Sequence, residues 1–137
     1  MPLIEFLKES NLNLITLVDR RVFSSGRWAL LDMKNIGSTI IGEEIGTSLN
    51  AYGEPSSEDI DINNIKYNIR CSTKYFDGQD ESFGETDSFN IDFNKKELVF
   101  IHPDLFVNET IDDIKNGRDV YLYAALNYLD NLNNKRS

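Results

Sequence analysis

The chain has one cysteine, Cys71, and one histidine, His102, among 137 residues. A single cysteine cannot close a disulfide within the chain. One histidine and one cysteine also leave too few strong nitrogen and sulfur ligands for a zinc centre. No apolar run approaches the ~20 residues that span a bilayer. The N-terminal MPLIEFLKES lacks the basic start and long apolar core of a signal peptide. Phosphate-cradling, dinucleotide-binding, nucleophile-elbow and zinc-protease motifs are missing. The expectation is a cytoplasmic protein that is not an enzyme, has no catalytic residues, and carries no metal or cofactor.

Basic residues are absent from two long stretches. Residues 35–65 hold six carboxylates and no lysine or arginine, and residues 75–94 repeat that balance. Between them Lys66, Arg70 and Lys74 supply the only cations. The net charge of −9 therefore arises mainly from two anionic blocks flanking one short basic segment. Such a balance opposes direct nucleic-acid binding and adhesion to anionic membranes, and favours a basic protein partner, or else serves solubility alone.

The second block, FDGQDESFGETDSFNIDF, does not form a calcium-binding loop of the EF-hand kind. Counting from Asp77 puts Ser82 where glycine is required, and placing Gly84 there puts Gln79 first. His102, ahead of Pro103, reads as a strand-end residue with a local hydrogen bond. Cys71 reads as a packed core thiol, because it falls on the apolar face of an alternating segment.

That segment, IKYNIRCSTKY, is the clearest strand. Ile65, Tyr67, Ile69, Cys71, Thr73 and Tyr75 alternate without a break with Lys66, Asn68, Arg70, Ser72 and Lys74. Residues 2–9 suit a short helix, and 11–18 suit a strand. RVF, Ser24-Ser25-Gly26 and RWALLDMK suggest a hairpin. Residues 35–53, with four glycines, fit either a bent strand or a broken helix. Residues 54–64 read as an acidic loop, and SFNIDF and ELVFIH as further strands.

The C-terminal part is helical. Thr110 to Asp113 suggests a capping box with aspartate at its third position, ending at Asn116-Gly117. A longer helix follows, with Leu122, Ala125, Leu126, Leu129 and Leu132 as its apolar stripe. The expected fold is one α+β domain, 1–137. It has an antiparallel sheet of about four to six strands, with an N-terminal helix and C-terminal helices packed on it.

The candidate partner-binding residues are the charges and aromatics of the two blocks. The first supplies Tyr52, Glu54, Glu58, Asp59 and Asp61; the second supplies Phe76, Asp77, Asp80, Glu81, Phe83, Glu85 and Asp87. The acids would steer a cationic partner inward, and the aromatics would fill pockets at its centre. In size, charge, composition and acidic-aromatic stretches such as YFDGQDESFGE, the chain resembles bacterial toxin immunity proteins, including those of contact-dependent growth inhibition systems. The resemblance implies a protein that neutralises a toxin domain, often a basic nuclease, by covering its active site or substrate surface; the expected state is a monomer or weak dimer. Two other classes share the acidity: secretion chaperones that bind an effector segment, and inhibitors that mimic nucleic acid.

Overall fold

The computed structural model describes residues 2–77, 85–87 and 98–135. In chain order the elements are α1 (Pro2–Glu9), β1 (Ile15–Val18), α2 (Ser25–Asn35), β2 (Thr39–Gly42), β3 (Ala51–Ile62) and β4 (Ile65–Phe76). They are followed by β5 (Glu85–Asp87), β6 (Leu105–Phe106), α3 (Ile111–Lys115) and α4 (Val120–Asn134). The class is α+β, and among the described residues the antiparallel sheet, β3-β4-β5, has three strands. A second sheet, β1-β2-β6, is parallel throughout. The chain divides into two compact units, Met1–Thr47 with Ile101–Ser137, and Ser48–Phe100.

The parallel sheet and the helices belong to the first unit. Its buried apolar residues are Val18, Leu30, Ile40, Ile41, Ile45, Ile101 and Ala125. Parallel pairing of β1 with β2 needs a crossover, and α2 supplies it. Residues 25–35 are thus helix, not the second arm of the expected hairpin. The physical reason lies in SGRWALLDMKN: alanine, leucine and methionine favour helix, and Arg27 and Leu30 recur three apart as its buried residues. Ser24 serves as the N-cap instead of a turn residue.

Glycines settle what residues 35–53 become. Gly37, at φ 86°, ends α2. Its amide bonds to the Lys34 carbonyl and that of Ser38 to the Met33 carbonyl, the paired bonds of a Schellman motif. The chain then enters β2. At its last residue, Gly42 takes φ 146°, and a Cβ there would lie 1.8 Å from the Val18 carbonyl oxygen. Only a residue without a side chain allows β1 and β2 to end this close together. Asp104 fastens the other side of β2. Its amide donates to the Ile40 carbonyl, and its carboxylate accepts from the Ile40 amide, at 2.8 Å each.

α4 lies against β1 and β2. Its inward face is turned from the leucine stripe toward Tyr121, Ala125, Tyr128, Leu129 and Leu132, leaving Leu122 and Leu126 about half exposed. The capping box of α3 is present. The Thr110 hydroxyl accepts from the Asp113 amide, and the Asp113 carboxylate accepts from the Thr110 amide at 3.1 Å. Asp119 caps α4 by accepting from the Leu122 amide at 3.0 Å.

The second unit is built on the β3–β4 hairpin. β4 matches the alternating segment. The acidic residues before it, expected as a loop, form β3 instead. Serine, proline, aspartate and glutamate have low strand propensity, so pairing with β4 makes this segment a strand. Asn63 and Asn64, at φ 54° and 64°, join the arms. Two successive positive φ values are what a two-residue type I′ turn requires, and asparagine tolerates them. Nearer the base, the Leu49 amide donates to the Val99 carbonyl at 2.7 Å. Of the expected strand ELVFIH, residues 98–102 are not in strand; SFNIDF lies outside the described residues.

Two outcomes follow. Gly42→Ala should cost at least about 2 kcal/mol, read as a lower urea midpoint, because the new methyl meets backbone and not a yielding side chain. Hydrogen bonds from Thr110, helped by Arg118, hold the Asp113 carboxyl below its ordinary range. The stabilisation is present above the unfolded carboxyl's pKa, near 3.9, and is lost as pH falls through the lower folded value. An NMR titration should show Asp113 protonating below its unfolded counterpart, and Asp113→Asn should remove that acid-side loss.

Candidate functional site

Register decides where the charges of the second unit stand. β3 and β4 pair from Ala51↔Phe76 to Ile62↔Ile65. Directly opposed residues share a face. One face carries Ile60, Ile62, Ile65, Tyr67, Ile69 and Cys71 together with Glu58. The other carries Asp59 and Asp61 opposite Asn68 and Lys66, and Ser57 opposite Arg70. The apolar face is not covered: its isoleucines and Tyr67 are 38–55% exposed. Cys71 is exposed too, which corrects the expectation of a core thiol. Period two foretells that residues share a face, not that anything packs on it.

The base of the sheet is the covered part. Tyr75 is buried, and Tyr52 meets it edge-on across the strands, with ring centroids 5.3 Å apart. Tyr52 therefore acts first as half of a cross-strand aromatic pair, still 41% exposed. Glu54 pairs with Lys74 at 2.8 Å. Both side chains are substantially exposed, so the pair contributes no more than about 1 kcal/mol. Asp59 accepts from the Asn68 side-chain amide at 2.8 Å, and Asp61 accepts from the Asn64 amide at 3.1 Å. Phe76 and Asp77 are half-buried at the end of β4.

β5 returns alongside that end, with Asp87 opposite Lys74 and Glu85 opposite Phe76. The two acidic blocks thus do not simply lie at opposite ends of the basic strand. The first runs the length of β4 on one side, and part of the second flanks its final turnward residues on the other. Outer strands of a three-stranded sheet are about 10 Å apart. That exceeds the screening length of about 8 Å at physiological salt, so charges placed on the two outer strands reinforce one another mainly at low ionic strength. Asp80, Glu81 and Phe83 lie outside the described residues.

A second cluster, in the first unit, was not read from the sequence. Asp19, Glu43 and Glu109 follow the carboxyl ends of β1, β2 and β6, and Tyr121 projects from the first turn of α4. Burial, then a hydrogen bond to the Glu43 carboxylate, then the charges of Glu43, Glu109 and Asp19 push the Tyr121 phenol up to about 12. At neutral pH it is a proton donor. The Arg21 guanidinium binds Asp19 through Nε at 2.8 Å and holds that carboxyl below its usual range. Arg21, Glu109, Arg118, Asp119 and Tyr121 line one open groove. These residues are dispersed over a hundred positions with no fixed spacing. Only the parallel topology, which brings the three strand ends together, reveals the cluster.

His102 Nδ1 meets the Glu44 carboxylate at 2.8 Å. Its partner is thus distant in sequence, not local. Among the described residues no group of three histidine, cysteine, aspartate or glutamate side chains is placed to hold a metal ion. No described helix is long and apolar enough to cross a membrane. No protein-family model matches the chain, and neither does any curated protein or solved structure.

Glu43→Gln should lower the Tyr121 pKa toward 10 in an ultraviolet absorbance titration. In the intact protein the folded phenol stays protonated while the unfolded one ionises near 10. The stability it contributes should therefore fall as pH rises from about 10 to about 12, and Tyr121→Phe should abolish that slope.

Proposed function

We propose that this protein is an inhibitor of the immunity type, which binds a cationic toxin domain and neutralises it by covering its active site or substrate surface. The supporting observation is the charge arrangement of the second unit. Glu54, Glu58, Asp59 and Asp61 on β3, with Glu85 and Asp87 on β5, bracket β4 within one sheet. Single exposed charges contribute little in water. Gathered on one small sheet, with Asp59 and Asp61 on one face and Glu58 on the other, they raise encounter rates with a basic protein by about ten- to a thousandfold. Binding, not chemistry, carries this function, and it would be exercised in the cytoplasm by a monomer or weak dimer.

A second reading, the secretion chaperone, draws on Ile111 and Ile114 of α3 and Leu122, Tyr123 and Leu126 of α4. All five are exposed apolar residues in the first unit. A chaperone would bind a disordered effector segment there, with little dependence on salt.

Co-expression with the product of the neighbouring gene separates the two. An inhibitor should co-purify as a one-to-one complex whose association slows steeply as salt rises. Replacing Glu58, Asp59 and Asp61 together by their amides should slow association about tenfold or more without altering the circular dichroism spectrum. An unchanged rate, together with indifference to salt, would sink the inhibitor reading and favour the chaperone.

A further inference from the structure

The hairpin turn dictates which backbone groups of β3 point away from β4. Across a two-residue turn the flanking residues, Ile62 and Ile65, exchange both ladder bonds, and bonded pairs then alternate. Ile60, Glu58 and Ser56 therefore direct their amides and carbonyls at β4, whereas Asp61, Asp59 and Ser57 direct theirs outward. Pro55 fits this phase, because its missing N–H falls on the outward side, where β4 needs none. Among the described strands β3 is terminal in its sheet, and Pro55 to Ile62 are all exposed. Ser57, Asp59 and Asp61 thus offer three outward amide and carbonyl pairs in one row. No described residue pairs with them.

Charge selects what pairs with such an edge. Glu54, Glu58, Asp59 and Asp61 are all anionic, and β3 carries no cation. A second copy brought edge to edge would set carboxylates against carboxylates, which is unfavourable. A strand alternating basic and apolar side chains would place its cations beside Asp59 and Asp61 and its apolar residues beside Ile60 and Ile62. We propose that the outer edge of β3, from Ser57 to Ile62, receives such a cationic amphipathic strand from the partner protein as an added strand of the sheet. This mode of recognition rests on the cationic-partner reading above and states how that partner is held.

The test uses the full chain and three blocked synthetic peptides, each about eight residues long, the scale of a typical strand. One alternates lysine and valine, the second is the same peptide N-methylated throughout, and the third alternates glutamate and valine. The lysine peptide should bind in calorimetry and slow exchange of the Ser57, Asp59 and Asp61 amides about tenfold or more. The methylated peptide should bind at least about tenfold more weakly, since it keeps the charge but loses every backbone donor, and its N-methyl groups crowd the approach to the edge. The glutamate peptide should not bind. Ser57→Pro combined with Asp59→Pro should weaken the lysine peptide about tenfold; should that variant lose its strand spectrum, the methylated peptide decides alone.

Equal binding of the methylated peptide would overturn strand addition while leaving the cationic partner intact. Equal binding of the glutamate peptide would overturn the charge reading as well. Failure of all three to bind would overturn the proposal, with co-purification still deciding the function. Self-association of the free chain that protects the same three amides would assign the edge to a second copy and overturn it.

Discussion

The ladder between β3 and β4 is the constraint on which the candidate surface depends. Alone, AYGEPSSEDIDI has neither the propensity nor the apolar content to stay extended. Held by β4, its side chains sort into two faces and its backbone into an inward and an outward row. A one-residue slip would exchange the faces, putting Ile60 and Ile62 among the lysines and Asp59 and Asp61 among the isoleucines. The turn at Asn63 and Asn64 prevents this by fixing Ile62 opposite Ile65. The proposed recognition by charge and by backbone would thus share one structural origin.

The first unit is organised by close approach. Gly42 lets β2 finish against β1, and Asp104 holds β6 to the other side of β2 with a bidentate use of one residue's backbone and side chain. The short strands leave their carboxyl ends crowded, and the acids that follow them gather around Tyr121. Their mutual repulsion is relieved in part by Arg21 and in part by the neutral phenol, which accepts no charge until strongly alkaline conditions. Polar groups are concentrated there because three chain segments must turn away from a small parallel sheet at one place.

Much of this was legible in the sequence, for reasons that can be traced to particular residues. The capping box at Thr110 and Asp113, the stop at Gly117 and the unbroken alternation of β4 are local signals, and the structure contains each. The helix α2 was obscured by Ser24-Ser25-Gly26, which serves equally well as a turn or as a helix start. β3 was obscured by its composition, although DIDINNIKYNI contains its signal: aspartate and isoleucine alternate up to two asparagines, and alternation resumes beyond them. Parallel pairing among strands of four, four and two residues leaves no local trace, since it depends on contacts between segments far apart in the chain. The candidate acids were found by counting charge, whereas their arrangement along β4 required the register.

Cys71 stands opposite Ser56 on the open isoleucine face, and its thiol is the only one in the chain. One maleimide dye per molecule would therefore attach at a defined rung of the hairpin without any engineering. Its emission would report when that wet surface becomes dry, and so distinguish a ligand that covers the isoleucines from one that touches only the carboxylates. The same exposure leaves that thiol open to oxidants, so a reductant belongs in the buffer until the dye is added.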